Sequence, residues 1–149
     1  MIREVRREEI PACVRIIRNS HQTVADTFGF TVENAPRYVA FATDEKRLLW
    51  HMDSEHRLMF VDEESGVLRG YYSLLLKKDT ECELGNLSVL PEYRHLGIGT
   101  ALLKNILIRY SHVRQIELVT DSRPETIAFY ESAGFRKLSD AGCTGFMKI

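Results

Sequence analysis

The chain has 149 residues, 20 Lys+Arg against 21 Asp+Glu, and 44% apolar side chains, a length that suits one domain with a core needing no staples. Nine Gly, four Pro and 28% charged residues at net −1 exclude collagen-like and disordered classes, and the even spread of both signs lacks the basic stripe of a nucleic-acid binder. The longest apolar run, residues 38–42, is too short for a membrane span, and residues 1–10 lack an apolar signal core. A soluble cytoplasmic domain over 1–149 is expected, with no nucleic acid and no membrane among its partners.

Cys13, Cys82 and Cys143 are odd in number and far apart, with no Cys-x-x-Cys or paired Cys/His spacing, so neither a disulfide framework nor a zinc site is expected. His51 and His56, five apart, would point about 140° apart on a helix and read as surface or packing residues rather than metal ligands.

In chain order, residues 2–6 suit a short strand. Residues 8–20 place Ile10, Cys13, Val14 and Ile17 at helical spacing, with Pro11 tolerable in the first turn. Residues 21–30 are mixed and stop at Gly29. Thr31 with Asn34 to Pro36 suggests a helix start leading into residues 38–41, and residues 44–52 suggest a further helix. Residues 57–61 and 67–77 are strand-like and joined by a hairpin signal at 62–66. Residues 81–90 form a third strand and 91–96 a loop. Residues 97–110 form a helix with Ile98, Ala101, Leu102 and Ile106 on one apolar face. A strand at 115–120, a helix at 125–133 ended by Gly134, and strands at 135–138 and 145–149 complete the chain. The order β-α-α-β-β-β-α-β-α-β-β predicts an α/β (α+β) fold, a mixed sheet covered by helices.

The strongest chemical signal begins at Leu87. A strand runs through a Pro-containing turn into Arg94-x-x-Gly97-x-Gly99 and then into an amphipathic helix. The glycines allow close backbone approach, and the first helical N–H groups, unpartnered and at the positive end of the helix dipole, suit an anion such as pyrophosphate. On the glycines alone, a helix start with two convenient glycines accounts for the segment equally well. The pattern is neither a dinucleotide fingerprint nor a nucleotide phosphate loop. Gly85, inside the preceding strand, marks a bulge or a close backbone approach.

The segment resembles the acyl-CoA-binding motif of the GNAT superfamily of N-acetyltransferases, Gln/Arg-x-x-Gly-x-Gly/Ala after the central strand. The segment Ile127-Ala-Phe-Tyr130-Glu-Ser-Ala-Gly134-Phe135 is similar to the family's later helix, which ends in Tyr-x-x-x-Gly-Phe. The resemblance covers about residues 57–149 and is weak before that. It implies transfer of an acetyl group from acetyl-CoA, without a metal, to a small-molecule or peptide amine by direct attack in a ternary complex. The cofactor site it implies comprises Arg94, His95, Leu96, Gly97, Ile98, Gly99 and Thr100, whose backbone N–H groups from His95 onward would hold the pyrophosphate. Leu87 and Val89 would pair with the pantetheine arm through their backbones, and the N–H near Leu87 would polarise the thioester carbonyl. Tyr93 and His95 are read as shaping the loop.

Glu83 stands eleven residues before Arg94, the offset of the general-base glutamate in some family members. A base is needed because an alkyl ammonium (pKa ~10.4) has no lone pair. Glu83 would act directly or through water; Glu81 is the next choice, and either also fits an ordinary solvated strand position. Tyr130 matches the general acid. Its ordinary pKa of ~10 against ~8.5 for a thiol leaves a gap of about 1.5 pKa units, roughly 2 kcal/mol, small enough for concerted transfer. One position departs from the family: Arg123, followed by Pro124, stands where the family often has a pantetheine-contacting Asn. Arg123 is expected to touch a ligand, the alternative being a salt-bridged surface arginine beside Asp121 and Glu125. Cys82 has no His–acid pair to support an acyl-cysteine route. The competing function is a non-catalytic acyl-CoA-binding sensor. The acceptor wall would come from about residues 18–42, whose charges are mixed, and a monomer or homodimer both fit.

Overall fold

A computed structural model describes residues 1–78, 80–138 and 146–148; Cys143 and the outer residues of the final expected strand lie outside them. The elements are β1 (Ile2–Glu4), α1 (Ile10–Phe28), α2 (Val39–Ala42), α3 (Glu45–Met52), β2 (Arg57–Glu64), β3 (Val67–Lys78), β4 (Glu81–Val89), α4 (Ile98–Arg109), β5 (Gln115–Leu118), α5 (Pro124–Ser132), β6 (Arg136–Lys137) and β7 (Phe146–Lys148). The strands form one seven-stranded sheet ordered β1-β2-β3-β4-β5-β7-β6. Its pairs are antiparallel except β4 with β5, which run parallel.

The sheet buries an apolar layer on each face. On one face Ile10, Cys13, Ile16 and Ile17 of α1 and Leu48 of α3 pack on Met59, Val61 and Tyr71. On the other, Ile98, Leu102, Leu103 and Ile106 of α4 and Tyr130 of α5 pack on Phe60, Tyr72, Leu74, Cys82 and Leu84. Gly70 lets α4 sit this close, since a Cβ there would stand 2.9 Å from Leu102 and 3.0 Å from Ile98.

Three expectations need correction. First, α1 does not end near Ser20 but runs on to Phe28, with Gly29 at φ 72° closing it. Its buried stripe continues from Ile17 through Ser20 to Val24 and Ala25; the polar Ser20 hid the period. Second, the expected helix start at Thr31 is a turn. Thr31 and Asn34 exchange backbone-to-side-chain bonds of 2.8 and 3.2 Å, Pro36 disfavours helix at the residue before it, and only the single turn of α2 follows. Three α-helices precede β2, one in each of the segments expected at 8–20, 31–41 and 44–52 and one more than the condensed order β-α-α-β counts. Third, the hairpin loop shrinks to Ser65 and Gly66, at φ 52° and 80°, as a two-residue turn with a left-handed backbone requires. Asp62 and Glu63 stay in strand because Arg69 and Arg3 neutralise them at 2.7 Å each.

What positions the site is the parting of β4 from β5. They pair from Glu81 with Gln115 to Leu84 with Leu118 and no further, although β4 continues to Val89. The register against β3 shifts where Tyr72 and Leu74 face Leu87 and Leu84, an extra β4 residue at the expected bulge. Gly85 is required there: a Cβ would stand 2.6 Å from Ser73 Oγ, the atom that accepts the Asn86 N–H at 3.2 Å. The bulge also swaps faces, so Cys82 and Leu84 before it and Leu87 and Val89 after it all pack towards α4.

Candidate active site

Two cavities flank the opening. The larger, about 760 Å³, lies between the β4 bulge, the residues after β5, α5 and the second half of α1, with Tyr38 and Arg37 on its outer wall. The smaller, about 250 Å³, lies at the N-terminus of α4 between Arg94, Gly99, Arg123 and Phe129. They share His21, Val24, Leu87, Thr120, Asp121 and Tyr130, so one runs into the other at the carboxyl ends of the parallel strands, where open α/β sheets bind ligands.

At the α4 turn, His95 and Gly97 both take left-handed φ values, 65° and 79°, and Gly97 caps the helix with no side-chain partner. His95, Leu96 and Thr100 are exposed while Ile98 is buried, so the turn offers backbone rather than side chains. Unpartnered N–H groups beside a groove suit a diphosphate, and Gly99, which lines that groove, keeps it open. Arg94 has another task. Its Nη2 donates to the Ser20 carbonyl at 2.9 Å, tying the turn to α1, and burial followed by the Arg123 charge lowers its pKa. The Val89 N–H donates to Ser20 Oγ at 3.3 Å, so one of the two backbone groups expected to meet the pantetheine is engaged within the protein.

Tyr130, 7% exposed on α5, lines both cavities. Burial, and then the Asp121 charge, push its hydroxyl above the ordinary phenol value. The gap to a thiol is therefore wider than ordinary values give: the phenol stays protonated and can donate a hydrogen bond, while full proton transfer is disfavoured. Glu83 faces a different partner. It lines neither cavity, and its half-exposed carboxylate pairs with Lys77 at 3.2 Å. Glu81 likewise lies outside both linings.

Arg123 lines the smaller cavity, but its guanidinium is already engaged, with Nε 2.9 Å from Asp121 and 3.8 Å from Glu125. Its backbone N–H also donates to Asp121 at 3.0 Å. Burial raises the Asp121 pKa, but hydrogen bonds from Arg123 and Thr126 and the Arg123 charge outweigh it, so the carboxylate titrates below its ordinary range. Asp121, His21 and Tyr38 were not singled out from sequence. Asp121 follows the carboxyl end of a parallel strand, a position that topology alone marks; His21 and Tyr38 fall within residues 18–42, the segment expected to supply the acceptor wall. His21 lies 3.3 Å from Ser88 Oγ and packs edge-on against Tyr38. Burial brings its pKa down to about 4, with Asp121 opposing and Arg94 and Arg123 reinforcing the shift.

Among the described residues, the fold is a helix-covered mixed sheet with one parallel pair, which parts beside the N-terminus of α4 and leaves a cleft at the carboxyl ends of its strands. The sequence profile of the Acetyltransferase (GNAT) family matches residues 22–135, and the chain belongs to that family. Its fold is similar to a PaiA N-acetyltransferase from Thermoplasma acidophilum solved with coenzyme A (TM-score 0.81, 19% identity, 99% of this chain and 96% of that one). It is also similar to the ribosomal-protein-S18-alanine N-acetyltransferase of Escherichia coli (0.72, 23%, 99% and 88%). A third likeness is to a GNAT family acetyltransferase from Brucella melitensis solved with acetyl-CoA (0.63, 22%, 91% and 82%). No curated protein matches the chain by sequence.

Proposed function

We propose that the chain transfers an acetyl group from acetyl-CoA to a primary amine by direct attack in a ternary complex. The observation that carries this reading is the continuity of the two cavities through Leu87, Asp121 and Tyr130. A donor lying along β4 and an acceptor entering beside α1 would meet at one buried phenol. As part of the same proposal, residues 1–149 act as one domain, in the cytoplasm, as a monomer or homodimer.

Acetyl-CoA supplies the activated acyl group and a thiolate leaving group. The backbone N–H groups of His95 to Thr100 hold its pyrophosphate against the positive end of α4. The backbone of Leu87 aligns the pantetheine arm and polarises the carbonyl; Val89 joins it by exchanging its weak bond to Ser20. As the N–C bond forms and the C–S bond breaks, the Tyr130 hydroxyl donates to the departing sulfur. The proton lost by the amine passes through water to Glu83, whose carboxylate lies outside the cavity lining.

Acetyl-CoA should raise the melting temperature, because it binds the folded state alone. Gly99→Glu should abolish the shift by placing bulk and negative charge at the cradle. A Cβ at residue 99 meets nothing closer than Phe129 at 3.6 Å, so loss of folding is not the expected cause. An undiminished shift in that variant would overturn the cradle assignment.

A further inference from the structure

The chemistry of the larger cavity restricts the acceptor, given the acetyl-transfer reading above. Its lining carries Val24, Phe28, Phe30 and Tyr38. The rings form a continuous series, with Phe28 and Phe30 stacked at 5.7 Å and Phe30 and Tyr38 tilted at 5.1 Å. Such a wall favours an apolar or aromatic body, through area burial and ring contact together.

The charges in the lining are as informative as the rings. The carboxylate there, Asp121, is neutralised by Arg123 at 2.9 Å, so its negative charge is spent within the protein. His21 is neutral at physiological pH. Arg37 also lines the cavity and has no hydrogen-bond or ion-pair partner among the described residues. Among the described residues, the cavity lining therefore presents one unmatched charge, and it is positive. A polyamine or aminoglycoside would bring several positive charges to a wall that, among the described residues, has no free carboxylate and one free cation. A guanidinium instead suits a carboxylate on the acceptor.

We infer that the acceptor is a small amino acid with an aromatic or large aliphatic side chain, its body against Phe28, Phe30 and Tyr38 and its carboxylate on Arg37. The amine that attacks is then the acceptor's sole cationic group. A lining without a free anion among the described residues also favours its uncharged, nucleophilic form.

The test is thiol release from acetyl-CoA with phenylalanine, phenethylamine, glycine and spermidine in parallel, alongside the acetyl-CoA thermal shift. Phenylalanine should give the highest kcat/KM, with phenethylamine lacking the carboxylate contact, glycine lacking the apolar body and spermidine last. Arg37 is exposed, so its variants should fold. Arg37→Ala should erase most of the preference for phenylalanine over phenethylamine, and Arg37→Glu should raise kcat/KM for spermidine by about tenfold, as removal of like-charge repulsion implies. Spermidine equal to or better than phenylalanine, or an unchanged phenylalanine-to-phenethylamine ratio in Arg37→Ala, overturns the inference. A thermal shift with turnover confined to other amines, or with none at all, overturns the acceptor class and leaves the cradle standing. Absence of both shift and turnover removes the acetyl-transfer reading itself.

Discussion

Tyr130 combines burial, a place in both cavities and a pKa raised by burial and by Asp121. Under the proposed mechanism, those features suit it to donate a hydrogen bond to a developing thiolate. Tyr130→Phe should lower kcat by about ten- to a thousandfold, the range for a positioned acid, with little change in acetyl-CoA binding. Wild-type turnover in that variant would reduce Tyr130 to the packing role that its edge-on contacts with Phe129 and Phe135 would equally serve. Glu83 poses the opposite problem, since the offset that singled it out holds while its carboxylate turns to Lys77. If it takes the amine's proton through water, Glu83→Gln should remove or displace the acidic limb of the kcat/KM profile, which reports the base in the free enzyme. An unmoved limb would mean that the base lies elsewhere, with Glu81 the next to test. Gly97 and the position of Tyr130 were legible in sequence because each meets a local requirement, a left-handed turn for the one and a place on the helix after the strand–helix unit for the other. Asp121 escaped because only the parting of two strands brings it to the cavity.

Helix α1 is the element that sequence reading shortened, and it supplies the inner wall. Its second half carries Ser20, which binds the Val89 N–H, and His21, which meets Ser88. Polar residues on a buried stripe interrupt the apolar period that marks a helix face, so the segment that docks on the splayed strand is the one pattern analysis loses. The docking is pH-sensitive in a definite direction. His21 titrates at about 6.5 unfolded and about 4 in place, so the unfolded state binds more protons between those values. Stability is then fully present above about pH 6.5 and declines as pH falls towards 4. His51, also lowered to about 4 by burial and then by Arg57 and Arg47, adds a parallel slope. His21→Asn should make the fall in melting temperature between neutral pH and pH 4.5 shallower without abolishing it; an unchanged slope would mean that His21 is solvated or charged in the folded protein. The middle of the chain, by contrast, was readable to within a few residues. Its hairpins and the α4 turn are set by nearest neighbours, whereas α1 and the 31–38 turn are set by what they pack on.

Across the molecule, sheet and helices act as a frame held slightly open. The β4 bulge at Gly85 turns Leu87 and Val89 towards α4, β5 leaves the sheet after Leu118, and Arg94 fastens the α4 turn back to α1. Family membership fixes the class of chemistry, and the frame brings the α4 turn, proposed as a phosphate cradle, and an aromatic-lined cavity to one phenol. The account's central claim is that acetyl passes there from CoA to nitrogen, and the most direct measurement is CoA thiol release from acetyl-CoA with and without an amine acceptor, the product weighed by mass spectrometry. The account predicts thiol release that depends on the amine, matched in amount by an amine heavier by one acetyl group. Acetyl-CoA that binds and raises the melting temperature, yet releases no thiol with any amine, would contradict it and leave a protein that senses acyl-CoA without consuming it.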